Sequence, residues 1–252
     1  MSNWKIYKLE EIAKVQTGPF GSQLHQSDYI DIGTPIITVE HLGDNRIRHD
    51  NTPKVSDEDK LRLSKYWLCE GDIVFSRVGS VDRRAYVKKK EEGWLFSGRC
   101  LRVRPKRHIN GKYLSYFFGL EEFKKKIRGI AVGATMPSLN TSIMNNIEVI
   151  LPDETTQTKI ARILSSLDDK IELNLQMNQT LEAIAQAIFK EWFVYFNFPG
   201  FDGELVDGLP KGWRMGKVKD VYKTTSGGTP SRTKPEFYEN GKYDYTKFEG
   251  DK

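Results

Sequence analysis

Seven arginines, Arg77, Arg83, Arg84, Arg99, Arg102, Arg104 and Arg107, fall between residues 77 and 107, interleaved with Ser76, Ser80, Tyr86, Trp94 and Ser97. That interval holds 11 basic residues against 3 acidic ones. A guanidinium can fork onto a phosphate or onto the O6/N7 edge of guanine. Two turn-rich stretches, GPFGSQLH (18–25) and GATMPSLN (133–140), add small polar side chains that can approach a groove closely. Such groups read base edges, whereas lysines mainly hold phosphates. The candidate DNA-contacting set is therefore Ser22, Gln23, His25, Arg77, Arg83, Arg84, Arg99, Arg102, Arg104, Thr135, Ser138 and Asn140. Any basic α+β domain carries some of this signal. The runs Lys88–Lys90 and Lys124–Lys126 read as ordinary solvated faces or phosphate holders.

Catalytic chemistry is not legible. His25, His41, His49 and His108 show no i, i+4 pairing and no neighbouring ligands, which argues against a zinc site. The chain has no G-x-S-x-G and no Walker A lysine loop. It also lacks the (Asn/Asp)-Pro-Pro-aromatic motif that an adenine methyltransferase needs. Asp57, Glu58 and Asp59 look like the first turn of a helix, not a metal cluster. The expectation is a binding protein with no catalytic residues, no metal and no bound cofactor.

The elements that must position these groups are mixed. TPIITVEHL (34–42), GDIVFSRVG (71–79), LRVRP (101–105) and IEVILP (147–152) read as strands. In LRVRP, Leu101 and Val103 alternate with Arg102 and Arg104, so one face should pack while the other presents two guanidinium groups. KLEEIAKV, SDEDKLRLS with Ser56 as N-cap, and NGKYLSYFFGLEEFKKKIRG from Asn110 read as helical. The fold class is α+β: a bent, mainly β recognition domain over 1–152 with helices, followed by one long coiled-coil-type helix.

The texture changes after Pro152. From Asp153 to Trp192 there is no Gly or Pro, and apolar residues recur at heptad spacing. Ile160, Leu167, Leu181 and Ile188 share one position; Leu164, Ile171, Ala185 and Trp192 share the other. Asn174 and Asn178 interrupt the seam midway, one at each position, where buried Asn can fix register and orientation; a solvated gap is the other reading. A helix of ~38 residues is roughly 57 Å long, too long to hide its stripe against one ordinary domain, so a second long helix is expected beside it. The helical segment spans 153–196, and 197–212 reads as a Gly/Pro/Asp-rich connector. Then, at 213–252, the chain restarts: shifted by 209 positions, Trp4 falls on Trp213, Lys8 on Lys217, Leu9 on Val218, Ile12 on Val221, Lys14 on Lys223, Gly18 on Gly227 and Ser22 on Ser231.

Charge follows the same division. Residues 1–150 carry a net +7, 151–196 a net −3 and 197–252 a net +1, within a total of +5. A basic front suits a polyanion, and an acidic helix suits a protein partner. The N-terminus lacks a signal-peptide core and no apolar run approaches ~20 residues, so a cytoplasmic protein without membrane contact is expected. Cys69 and Cys100 are expected to be buried free thiols.

This arrangement resembles the specificity (S) subunit of type I restriction–modification systems. Trp4 to Ser22, with W-K-x-x-x-L-x-E-I and T-G-P-F-G-S, resembles the opening of a target-recognition domain, and VGATMPSLNTSIMNNIEVILP (132–152) its close. TKIARILSSLDDKIELNLQMNQTLEAIAQAIFKEWF (158–193) is similar to the family's conserved helical region. LPKGW (209–213) and SGGTPSRTKPEFYENG (226–241) resemble the start of a second domain, which here is a stub. The chain thus looks like a half-length, truncated form with one recognition domain. The resemblance implies a non-catalytic subunit that recognises bipartite double-stranded DNA and holds methyltransferase (M) subunits. Restriction (R) subunits join in the full complex, and S-adenosylmethionine, ATP and Mg belong to those partners. It also leads to a homodimer through the helix seam of Ile160, Leu164, Leu167, Ile171, Asn174, Asn178, Leu181, Ile188 and Trp192. The other readings are a non-catalytic nucleic-acid-binding adapter with a helical docking segment, and a degenerate enzyme fragment.

Overall fold

The computed structural model describes residues 4–133 and 135–224. The chain forms two compact units, Met1–Gln179 and Thr180–Lys252, parted within the long helix. In chain order the first unit contains β1 (Lys5–Lys8), α1 (Leu9–Ile12), β2 (Ala13–Thr17), β3 (Thr34–Ile37), β4 (Lys54–Val55) and α2 (Asp57–Arg62). There follow β5 (Ile73–Ser76), β6 (Arg84–Tyr86), β7 (Leu95–Phe96), β8 (Cys100–Pro105), α3 (Gly111–Phe117), α4 (Glu121–Ile130), α5 (Thr141–Asn145) and β9 (Glu148–Leu151). The long helix α6 covers Glu154–Phe189 and continues into a π-helical turn, Lys190–Val194.

The main sheet is antiparallel, with order β2-β8-β5-β6. Side chains alternate across a strand, and here both faces are covered. Ile73, Phe75, Leu101 and Val103 enter one core with Leu114, Phe118, Phe123, Ile127 and Met144 of the helices. Val74, Ala85 and Cys100 enter a second core with Ile36, Ile37, Leu95 and Phe96 of the small sheet β4-β3-β7. The α+β class is as the sequence reads. The half-open strand 101–105 is not: Arg102 is buried, and this corrects the expectation of two guanidinium groups on a free face.

Several local readings need adjustment. Ser56 and Asn110 do cap their helices, accepting from Asp59 N and Tyr113 N. The stretch from Asn110 is two helices, broken around Gly119, where the Arg84 guanidinium occupies the space a side chain would fill. KLEEIAKV gives only one helical turn before turning into β2. Cys100 is buried as expected, but Cys69 is exposed. Among the described residues no helix is long and apolar enough to cross a membrane.

The second unit holds a two-residue hairpin between β10 (Leu205–Val206) and β11 (Leu209–Pro210), with Asp207 and Gly208 both at positive φ, as a type I′ turn requires. Trp213 stacks on Phe198 at 5.6 Å. The short helix α7 (Val218–Val221) lies 209 positions from α1, residue for residue. In each, the backbone N–H before the helix donates to an acidic side chain three residues on: Lys8 to Glu11, Lys217 to Asp220. The sequence repeat is therefore a repeat of local structure. Leu9 and Ile12 are buried, while Val218 and Val221 are exposed. The restart beyond residue 224, including 226–241, lies outside the described residues.

Burial holds the Cys100 thiol protonated, with its pKa raised to about 12. A thiol reagent at neutral pH should therefore modify one cysteine per native chain, at Cys69, and two in denaturant. Two equivalents reacting at the same rate with the folded protein would contradict this packing.

Candidate nucleic-acid interface

Antiparallel pairing sets which segments can meet. The end of β2, the start of β8, the end of β5 and the start of β6 all lie at one end of the main sheet. The loops that leave there are 18–25, 97–99 and 77–83, and segment 132–140 joins them through bridges of Ser138 to Val78 and Val132. The loops interlock by close backbone approach. A Cβ on Gly18 would lie 2.1 Å from the Ser97 carbonyl oxygen, and one on Gly98 2.4 Å from that of Pro19. Neither position tolerates a side chain.

Arg77 is the clip of this end. Its Nε donates to the Leu139 carbonyl and its Nη1 to that of Gly98, both at 3.3 Å, while the Phe20 ring lies 5.9 Å from the guanidinium. One side chain thus touches three loops. Arg99 is exposed, and among the described residues its guanidinium has no hydrogen bond or ion pair. It borders a cavity of about 630 Å³ with Phe20, Gln26, Tyr29, Glu40 and His41. Ser22 and His25 are exposed in the same loop, and Thr135 is exposed in the 132–140 segment. Gln23 is half-buried, its Oε1 accepting from Tyr66 at 2.5 Å. Ser138 donates to Val132 O, and the Asn140 side chain caps α5 through Ile143 N.

The remaining arginines make internal contacts, and burial corrects the reading of Arg84 and Arg102 as surface contacts. Arg84 is buried, its Nε donating to Ser115 O at 2.7 Å and its Nη1 to Asp44 at 3.4 Å. Arg102 is buried against the Phe96 ring and donates to Trp67 O at 2.7 Å and to Gln16 Oε1. Burial lowers the pKa of both guanidinium groups. Arg83 is half-buried and holds the Leu42 carbonyl through Nε and Nη2. Arg104 sits at the far end of β8, roughly 16 Å from Arg99 at ~3.3 Å per strand residue, in a 2.7 Å fork to the buried Asp72. A buried polar or charged group needs partners, and the fold consumes these four internally. A run of arginines in sequence gives no sign of that distinction.

Other basic residues meet carboxylates: Lys89 pairs with Glu92, Lys124 with Glu121, Lys126 with Glu148, and Arg128 with Asp82 of the 77–83 loop. Residues missed from sequence are Phe20, Gln26 and Tyr29 beside Arg99; aromatic and amide groups on a turn-rich segment were the available signal. Among the described residues no group of three or more His, Cys, Asp or Glu could hold a metal ion.

The helix residues singled out by heptad spacing lie on α6 and its π-helical end. Ile160 and Leu164 are half-buried, Leu167 and Ile171 are more than half exposed, and Asn174, Asn178, Leu181, Ile188 and Trp192 are exposed.

Residues 1–183 match the family described as Type I restriction modification DNA specificity domain. The MjaIX type I restriction enzyme specificity subunit of Methanocaldococcus jannaschii is 28% identical over 97% of this chain and 57% of its own length. The HindI specificity subunit of Haemophilus influenzae is 27% identical over 94% of this chain and 64% of its own. The chain thus spans less than two thirds of either relative. The fold is also that of the S subunit from M. genitalium, with a TM-score of 0.59 at 13% identity, covering 77% of this chain and 46% of that one.

Two substitutions separate the ends of β8. Arg99→Ala should weaken target binding by about 1–3 kcal/mol, as for loss of a base-reading arginine, with the unfolding midpoint unchanged. Arg104→Ala should leave target binding within twofold and lower stability by about 1.5–3 kcal/mol, because it removes the charged fork from buried Asp72 and leaves that carboxylate with Cys69 N and the nearby Arg102. Titration of the target duplex beside denaturant unfolding tests both; the reverse pattern would place the interface at the wrong end.

Proposed function

The chain belongs to the family of type I restriction modification DNA specificity domains, and on that premise we propose that it reads one half of a bipartite duplex DNA target and catalyses nothing itself. The observation that carries this reading is the convergence of the loops 18–25, 77–83, 97–99 and 132–140 at one end of the sheet, with the Arg99 guanidinium left unpaired there among the described residues. Arg99, Ser22, His25 and Thr135 face the duplex, and Arg77 holds the loops that carry them. The acidic helix docks methyltransferase subunits, which bring S-adenosylmethionine and the methyl-transfer chemistry. Restriction subunits with ATP and Mg complete the nuclease. The setting is the cytoplasm, where these partners and DNA meet.

The seam of α6, exposed from Leu167 onward, is self-complementary. An antiparallel pairing of two copies, centred between Asn174 and Asn178, puts Ile160 against Trp192 of the second copy. It likewise sets Leu164 against Ile188, Leu167 against Ala185, Ile171 against Leu181 and Asn174 against Asn178. Each pair joins one heptad core position to the other, and each occurs twice about the two-fold axis. Burying each large side chain is worth roughly 1.5–3 kcal/mol, and the paired amides offset their own burial by hydrogen bonding. The homodimer is a coiled coil with two identical recognition domains, so its target is a gapped palindrome.

Sedimentation at low-micromolar concentration should give a dimer, and Leu167→Asp with Ile171→Asp a folded monomer. A monomeric parent whose mass and stability ignore those substitutions would sink the dimer. Selection from random duplexes should recover one sequence bound at least a hundredfold above bulk DNA. The purified chain should transfer no methyl group and cut no DNA. Sequence-independent binding would favour a general nucleic-acid adapter instead.

A further inference from the structure

The attachment of α6 to the recognition domain has two parts of different character. At its start the contact is a packed core: Gln157 and Ala161 are the buried residues of the helix, with Ile160 packed beside them. Beyond Leu164 the helix leaves that core. A cleft of about 470 Å³ opens there, lined by Tyr86, Lys88 and Lys112 on the domain and by Ser165, Asp168 and Glu172 on the helix. Polar tethers cross it. The Tyr116 hydroxyl donates to Asp168 Oδ2 at 2.7 Å, the Asn45 side chain donates to the same oxygen at 3.4 Å, and Arg46 pairs with Glu172 at 3.4 Å.

These tethers lead back into the buried sheet. Asn45, held at positive φ, accepts from the Ser115 hydroxyl, and the Ser115 carbonyl accepts from buried Arg84. Arg84 in turn pairs with Asp44 beside Asn45. Burial and the Asp168 carboxylate both raise the Tyr116 pKa, so its hydroxyl keeps the proton it donates.

From this geometry we infer that the Tyr116–Asp168–Asn45 contact is a latch that fixes the tilt of α6 against the recognition domain, and through it the spacing of the half-sites that a dimer can read. The inference rests on the DNA-reading, helix-paired assembly proposed above. A single packed contact is a pivot; a second contact seven residues along turns it into a fixed arm. The arm from Ala161 to the seam midpoint near residue 176 is roughly 22 Å at 1.5 Å per residue. A tilt of ~10° about the pivot moves that midpoint by ~4 Å, close to the ~3.4 Å of one base-pair step. Tyr116, Asp168 and Asn45 are positioning residues, and none of them belongs to the loops 18–25, 77–83, 97–99 or 132–140.

The test uses the 252-residue chain with Tyr116→Phe and Asp168→Ala combined. The probes are the half-site recovered by selection, alone and as inverted pairs with the spacer changed one base pair at a time. Single half-site affinity should stay within about twofold of the parent, while preference for the best spacer over its neighbours falls at least fivefold. Asp168→Asn, which keeps an acceptor oxygen for Tyr116, should retain the parent's preference. An independent arm measures the distance between spin labels at Lys125→Cys and Lys170→Cys in a Cys69→Ser background, diluted with unlabelled chain. The double variant should broaden that distribution. Unchanged spacer preference with an unchanged distribution overturns the latch. If no variant binds any half-site, the DNA reading has failed, and the distance distribution alone decides whether the latch exists.

Discussion

The antiparallel sheet β2-β8-β5-β6 is buried on both faces, and most other features of the first unit follow from that. An antiparallel sheet commonly leaves one face to water; this one has helices on one side and a second sheet on the other. Every side chain of β5 is therefore interior. The charged residues on its neighbours, Arg84 and Arg102, must find partners inside or cost several kcal/mol each. They find carbonyl oxygens and carboxylates: Arg84 meets Ser115 O and Asp44, and Arg102 meets Trp67 O, with Asp72 4.0 Å from its Nε. Asp72, buried at the far end, takes the Arg104 fork and caps Cys69 N in the same way. Polar groups that could have served as surface contacts are spent on holding layers together.

A sheet fixed on both faces leaves its ends as the places where sequence can vary without disturbing a core. Antiparallel connectivity then decides the rest, because alternate connections return to the same end. The loop end is held by short backbone approaches at Gly18 and Gly98 and by the bonds of Arg77, so the groups it presents are set before any ligand arrives. Preorganisation of this kind lowers the ordering cost of binding. It also explains why Arg77 and Arg99, separated by only one backbone hydrogen bond, have different roles. One is consumed by the loops and the other is free to leave them.

Much of this was legible in the sequence, and the failures share a cause. The long helix, the caps at Ser56 and Asn110, the strands at 73–76 and 148–151, and the 209-residue repeat all depend on neighbours within a few positions. Such signals survive without tertiary knowledge. The repeat makes the point most sharply: α7 reproduces the turn and cap of α1, yet its valines stay exposed where Leu9 and Ile12 are buried. Local chemistry writes the turn; only the surrounding domain buries it. The arginines were misread because their fate depends on non-local partners. Arg102 meets Trp67 and Gln16, and Arg84 meets Ser115 and Asp44. The alternation of LRVRP is the same whether the second face is water or another sheet.

The helix resolves a tension that this architecture creates. A recognition domain whose loops are rigid is of use only if its position relative to another such domain is also defined. In the dimer proposed above, helix α6 would meet that need with two adjacent faces. Gln157, Ala161, Asp168 and Glu172 face the domain, while Leu167, Ile171 and Asn174 form an exposed adjacent stripe whose half-buried start is Ile160. At 3.6 residues per turn these stripes lie roughly 90° apart, and Leu164 falls between them. The inward stripe passes from buried residues packed in the core, Gln157 and Ala161, to polar tethers at Asp168 and Glu172, whereas the other stripe stays apolar until its two asparagines. Apolar packing gives the strength of each attachment and the polar groups give its register. In the assembly proposed above, a coil built from hydrophobic contacts alone would be free to slide or tilt; Asp168 on one face and Asn174 with Asn178 on the other would be the points that resist both motions.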